Sequence, residues 1–263
     1  MVSYRINRIN PGTNNMKIFL TGRHLETLAA ELSALGFAVV SNTEEADLIL
    51  SHGGDGAMLG AEHTCPGKLK FALRDSETAP LCPIHQRQNQ LLALKNGQLK
   101  TTALPKVTAT CNGQTLSGIN DVFIHNSNYV SAMRYKVWID GELYGREIVG
   151  DGVGLSTVHG ATAYYRSITH SIFRTGIGLA FSNSTEVVNH LVLPESSVIR
   201  VQILRGPCEV VADNAPEKIQ ILAGDEVELR LSSETTPILG LENFMCPACR
   251  ELRHSLRNST QNG

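Results

Sequence analysis

The apolar run Ala46-Asp47-Leu48-Ile49-Leu50 is followed after two residues by Gly53-Gly54-Asp55-Gly56. A run of that kind reads as a buried strand, and the glycines around one aspartate end it sharply, because Gly and Asp supply the positive φ of a tight turn. A strand ending this way brings bare backbone N–H groups and one carboxylate to the edge where open α/β sheets take their ligands. The same four residues are also compatible with a turn that has no further duty. The rest of the chain has to decide between the two.

Two further polar clusters each adjoin a β-like run. One is Asn120-Asp121 within Gly118-Ile119-Asn120-Asp121-Val122-Phe123-Ile124-His125. The other is Gly150-Asp151-Gly152-Val153-Gly154-Leu155-Ser156-Thr157-Val158-His159-Gly160-Ala161-Thr162-Ala163-Tyr164. Three such clusters are hard to explain as independent loops.

In this order the three blocks resemble the NAD kinase family, within the superfamily that also holds diacylglycerol kinases and 6-phosphofructokinases, over a stretch from Met16 to Leu231. The last block is the specific one. The resemblance implies a Rossmann-like N-terminal α/β domain with a C-terminal antiparallel β-sandwich, and transfer of phosphate from ATP or polyphosphate to the adenosine-ribose 2′-hydroxyl of NAD. It implies Asp55 as general base, Gly54 and Gly56 as points of close phosphate approach, and Mg2+ bridging the phosphates. Asn120 and Asp121 would grip the ribose hydroxyls and the amide end of NAD. Asp151, Thr162, Ala163 and Tyr164 would contact adenine, ribose and the nicotinamide half, with Ser167 adding a hydroxyl one turn later. Tyr164 on its own reads equally as a packed core aromatic. Asp213, in Val210-Val211-Ala212-Asp213-Asn214, resembles an acidic turn able to reach a neighbouring subunit's ligand, or is a plain hairpin turn. A homo-oligomer, dimer or tetramer, follows from the resemblance.

Departures from the family pattern fall on the phosphoryl-donor and substrate-distal sides. Ala57 stands where threonine follows the glycine turn, Val158-His159 replaces Pro-Thr, and Ala161 replaces serine. The expected glycine-rich stretch gives way to Ala72-Leu73-Arg74-Asp75-Ser76-Glu77, and Asn189-His190 takes the place of an arginine before Leu191-Val192-Leu193-Pro194. Two alternatives therefore stay open: a related kinase for another hydroxyl (sugar, nucleoside or lipid), and a nucleotide-binding pseudokinase. His159 reads either as a contact to a phosphate or nicotinamide amide, or as a solvated turn residue.

Periodicity supports the architecture. Lys17–Thr21 is a strand, Gly22 opens a helix with Leu25, Leu28, Leu32 and Leu35 on one face, and Gly36 stops it. Phe37–Val40, Leu48–Ser51 and Lys68–Leu73 are further strands, and Ala57–His63 a helix whose N-terminus faces a bound phosphate. From Lys106 the pattern alternates: 106–110, 122–125, 133–139, 198–204, 209–211, 218–222 and 226–231, antiparallel in character. The domains read as a tail at 1–15, an α/β domain at 16–116, a β-rich NAD-binding domain at 117–238, and a segment at 239–263 returning to the first domain.

With 263 residues, 42% hydrophobic and 18% charged, the chain can bury a substantial core. A formal net charge of -2 supports neither nucleic-acid nor membrane-surface binding, and no apolar run approaches a membrane span. The first fifteen residues carry no signal-peptide core, so a cytoplasmic protein is expected. Six cysteines in a chain this long do not suggest a secreted disulfide scaffold. Cys246-Pro247-Ala248-Cys249 and Cys82-Pro83-Ile84-His85 share one spacing, and together supply four ligands for tetrahedral Zn2+. Buried free thiols beside a surface histidine, or redox chemistry at Cys246 and Cys249, are the alternatives. Cys65, Cys111 and Cys208 read as half-buried small residues.

Overall fold

A computed structural model describes residues 16–77, 80–244 and 246–252. The expected tail at 1–15 and the returning segment beyond 252 lie outside the described residues. Two compact units are present: one holds the residues up to Ala103 together with those from Thr236 onward, the other Leu104–Thr235. The sequence pattern places these divisions at 116/117 and 238/239.

The first unit follows from alternating strand and helix patterns. Its elements are β1 (Lys17–Gly22), α1 (Leu25–Ala34), β2 (Ala38–Val40), β3 (Leu48–Gly53), α2 (Asp55–Thr64), β4 (Lys70–Arg74) and α3 (Arg87–Lys95). The strands pair in parallel in the order β2-β1-β3-β4. Because successive side chains alternate across a strand, Leu48 and Leu50 of β3 enter one core with Leu28, Leu32, Leu91 and Leu94. Ile49 enters the other, with Ala61 and Cys65. Apolar layers on both faces explain the unbroken hydrophobic run in β3. Helix α1 ends as its sequence requires, with Gly36 at φ +90°. The chain leaves β1 for β2 on one side and returns to β3 on the other. The direction of winding therefore reverses between β1 and β3, which is where parallel sheets open a crevice at their strand ends.

The second unit is antiparallel. It comprises β5 (Thr101–Cys111), β6 (Gln114–Gly118), β7 (Asp121–Asn126), β8 (Met133–Ile139), β9 (Glu142–Gly150), β10 (Gly152–Ser156), α4 (Tyr164–Thr169), β11 (Ile177–Ser182), β12 (His190–Leu193), β13 (Val198–Arg205), β14 (Cys208–Ala212), β15 (Ile219–Ile221) and β16 (Glu226–Leu239). One sheet runs β12-β11-β10-β7-β14-β15. The other joins β16 to β13, β13 to β8 and β8 to β9, with β5 between β16 and β6. Val107, Tyr135, Val201 and Val227 of this sheet share one core with Ile124, Leu155, Leu179 and Val210 of the other, so the two faces form a sandwich. The last residues of β16 belong to the first unit, where Ile238 and Leu239 pair in parallel with Lys70 and Phe71 of β4. A short helix, α5 (Leu241–Phe244), follows.

The alternating runs read from the sequence correspond to β5, β7, β8, β13, β14, β15 and β16. Strands β10 and β11 are buried on both faces and have no alternation to read. Cys65, Cys111 and Cys208, read as half-buried, are fully buried, because each packs into or beside an apolar cluster.

Candidate active site

At the end of β3, Gly54 caps α2 and Asp55 is its first residue, so the helix begins two positions before the expected Ala57. Gly54 has an ordinary φ of -100°, and a Cβ there would meet nothing within 4 Å. Neither strain nor packing calls for glycine at this position. Its bareness leaves room beside the first N–H groups of a ten-residue helix, a place that favours anions. Gly56 lies in that first turn.

Arg74 ends β4 in register with Gly53 and donates from Nη2 to Asp55 Oδ1 at 3.0 Å. Its side chain is 9% exposed while that of Asp55 is 62% exposed. A nearly buried cation thus holds one oxygen of an open carboxylate. Next in the chain, Asp75 is buried and its N–H donates to Gly53 O at 3.2 Å. His24, at φ 53°, places Nε2 3.2 Å from Glu77 and 3.8 Å from Asp75. Neither Arg74 nor His24 was among the expected site residues. Arg74 stood in plain view in the segment that replaces the glycine-rich stretch, where its charge was the available clue.

In the second unit the Asn120-Asp121 turn is held from several directions. Asp213, itself at φ 47°, accepts from the N–H groups of Ile119 at 2.7 Å, Asn120 at 2.8 Å and Asp121 at 3.1 Å. Three N–H groups converging on one carboxylate form an anion-holding concavity that the protein fills with its own side chain. Gly118 makes room for it: a Cβ there would lie 2.9 Å from Asp213 Oδ1 and 2.3 Å from Asp121 O. From the other side, Ser156 and Thr157 hold the carbonyls of Asn120 and Ile119 through hydroxyl donors at 3.1 and 2.6 Å, and Thr157 N–H reaches Asn120 O at 2.8 Å. Asp121 is only 7% exposed. Burial first, and the nearby Asp213 charge second, push its carboxyl up to about 7. Asp213 thus serves the turn of its own chain through both of its oxygens.

Asp151 lies elsewhere. Ser156 of β10 pairs with Asp121, whereas Asp151 directly precedes β10 at its other end. Five residues of strand place the backbones at the two positions about 17 Å apart along the pair. Asp151 accepts from Asn183 Nδ2 at 3.0 Å and, with Tyr164, Asn126 and His125, lines a cavity of about 440 Å³. Tyr164 is 39% exposed and stands edge-on to Phe123 with ring centroids 4.8 Å apart, so it is a wall of that cavity; its neighbour Tyr165 is the buried aromatic. His125 completes the ring cluster, its imidazole pushed down mainly by burial. Thr162 closes a single helical turn, Ala163 caps α4 and Ser167 lies on its exposed face. None of these three lines the cavity.

No family model matches the chain. An NAD kinase of Clostridium beijerinckii is 23% identical over 214 residues, covering 74% of this chain and 70% of that protein. A yeast NADH kinase solved with NADH superposes with a TM-score of 0.71 at 17% identity, over 86% of this chain and 83% of the other. An NAD kinase from Archaeoglobus fulgidus solved with ATP gives 0.68 at 16% identity, over 88% and 96%. This chain is similar to NAD kinases in sequence and in fold.

Against the NAD kinase pattern, two departures acquire a physical setting. A Cβ at Gly53 would lie 2.9 Å from the Cβ of Ala57, so a close approach surrounds the missing threonine hydroxyl. His159 is half-buried in the turn before Gly160, where a Cβ would lie 2.1 Å from Asn120 O. That turn therefore packs on the Asn120 carbonyl and helps fix it.

The knuckles of the first unit form a separate cluster. Cys82, His85, Cys246 and Cys249 bring their ligand atoms within 4.8 Å of one another. The three cysteines are at most 7% exposed and share an apolar cluster with Leu81.

Proposed function

We propose that this protein is an NAD kinase, transferring phosphate to the adenosine-ribose 2′-hydroxyl of NAD to give NADP. The observation that carries this reading is Asp55: an open carboxylate on the first residue of a helix, at the reversal point of a parallel sheet, beside a glycine that packing does not require. Phosphoryl transfer asks little of a protein beyond positioning and charge. In this reading Asp55 takes the hydroxyl proton through the oxygen that Arg74 leaves free, and the Arg74 guanidinium faces the transferring phosphate. Gly54, Gly56 and the α2 N-terminus accept the donor's phosphates. Mg2+ arrives with those phosphates as part of the substrate, ATP or polyphosphate.

Asn120 and Asp121 receive the ribose hydroxyls and amide groups of NAD. An ionised carboxylate accepts hydrogen bonds from two hydroxyls, and the Asp213 clamp fixes the turn in advance. Thr162, Ala163 and Ser167 border the same ligand. Asp151 and Tyr164 serve its far end or that of a second copy, which is the argument for a homo-oligomer. Among the described residues no helix is long and apolar enough to cross a membrane; a cytoplasmic location is part of the proposal.

One observation favours a second reading. The Arg74 contact occupies an oxygen of Asp55, as would suit nucleotide binding without transfer. The deciding experiment incubates the purified full chain with NAD and either Mg-ATP or polyphosphate and measures NADP. NADP formation supports the kinase. NAD binding by calorimetry without NADP from either donor overturns it in favour of the binding protein.

A further inference from the structure

We propose that Cys82, His85, Cys246 and Cys249 bind one Zn2+ in a closed structural site that fastens the segment after α5 to the loop before α3. The proposal does not depend on the kinase reading.

The distances suit the ion. Zn–S bonds of about 2.3 Å and Zn–N bonds of about 2.0–2.1 Å, at tetrahedral angles, place neighbouring ligands about 3.6–3.8 Å apart. Cys82 Sγ lies 3.2 Å from His85 Nδ1 and 4.0 Å from Cys246 Sγ, and Cys249 Sγ lies 3.7 Å from His85 Nδ1. Four side chains from two distant segments thus bring their ligand atoms to within 4.8 Å of one another, near the spacings that a tetrahedral site needs. An apolar contact alone would not require three sulfurs and a ring nitrogen to converge.

The surroundings are built for thiolates. Cys82 N–H donates to Cys249 Sγ at 3.3 Å, and the N–H groups of Ala248 and Cys249 both point to Cys246 Sγ. Backbone donors of this kind orient and stabilise sulfur ligands. The loop is fixed in advance: side-chain amides of Gln86, Asn89 and Gln90 hold the carbonyls of Leu81, Pro83 and His85 at 3.0, 3.0 and 2.7 Å. His85 N–H also closes a single helical turn on Cys82 O at 3.0 Å.

The donor set selects the metal class. Three soft sulfurs and one imidazole in a tetrahedron suit zinc, and hard oxygen-seeking cations such as Mg2+ and Ca2+ find no ligand here. Four protein ligands leave no position for water, so the site is structural rather than catalytic. All six cysteines are free thiols, which leaves the three sulfurs available.

The test is metal analysis of the untagged full chain purified without chelator. About one equivalent of zinc per chain is expected, and Co2+ exchanged in its place should show the intense visible bands of tetrahedral thiolate coordination. Cys249→Ser and His85→Ala should lose the metal and lower Tm by about 5 °C or more. His85→Cys, which keeps four ligands, should retain it, and so should Cys65→Ser, a buried cysteine outside the cluster. Should Cys249→Ser fail to fold, His85→Cys and the cobalt spectrum of the wild type still decide. Less than about half an equivalent of zinc with no cobalt bands overturns the proposal. So does a Cys246–Cys249 disulfide found by mass in metal-free native protein, or equal metal loss in Cys65→Ser.

Discussion

Asp55 and Asp121 are both carboxylates at the end of a strand, yet their settings are opposed. Asp55 is largely exposed, starts a helix and shares an oxygen with Arg74. Asp121 is 7% exposed, and the charge of Asp213 disfavours its ionisation. In the proposed reading the first meets a mobile, charged phosphate donor, and the second receives neutral hydroxyl and amide groups that donate hydrogen bonds. The contrast shows how a single residue type takes two roles when environment rather than identity sets its chemistry.

Neutralising each carboxylate in turn separates the two roles. Asp55→Asn should lower kcat by about 10²–10⁴-fold while NAD affinity by calorimetry changes by less than about threefold. Asp121→Ala should show the reverse weighting, with weakened NAD binding dominating. If both variants lose affinity and rate alike, the division of labour is wrong. Next in size is Asp213→Ala, which strands three backbone N–H groups and should cost about 1–3 kcal/mol in urea unfolding. No change in the unfolding midpoint would mean that the Asn120-Asp121 turn holds itself.

The pH dependence comes third. With the Asp121 carboxyl at about 7, NAD affinity should rise about tenfold from pH 6 to pH 8 as the acceptor form fills, and Asp121→Asn should flatten the profile. The same shift acts on stability. A carboxyl pushed up by folding contributes stability that is fully present below its unfolded value near 4 and is lost as pH rises through about 7. Unfolding free energies of wild type and Asp121→Asn should therefore converge at low pH. The smallest effect belongs to Arg74→Gln: an increase of about fivefold in KM for the phosphoryl donor with KM for NAD unchanged, since a guanidinium on phosphate steadies one substrate only. An equal rise in both would move Arg74 into a purely structural role.

Much of this was legible in the chain. The glycine turn, the helix behind it and the run of parallel strands follow from local rules: an apolar run long enough for a strand, then residues that tolerate a sharp turn. Strands β5, β8, β13, β14, β15 and β16 of the sandwich were visible by alternation, whereas β10 and β11 were not, because Val153, Leu155, Leu179 and Phe181 enter one core while Gly154, Ser156 and Ala180 are covered from the other side. In the site, the roles of Arg74 and Asp213 escaped for a different reason. Each acts through a partner, nineteen residues away for Arg74 and more than ninety for Asp213, and no spacing rule spans such distances. The knuckles, by contrast, advertised themselves by a shared spacing even though 164 residues separate Cys82 from Cys246.

Strand β16 comes late in the order of synthesis. Residues 236–239 of β16 complete the parallel sheet of the first unit, and the ribosome reaches them only after all of the second unit has been made. Nascent β1 to β4 must therefore wait for their last neighbour, a long-range pairing of the sort that slows folding. A fragment stopped at Thr235 would hold the whole sandwich and still leave the edge of β4 uncovered.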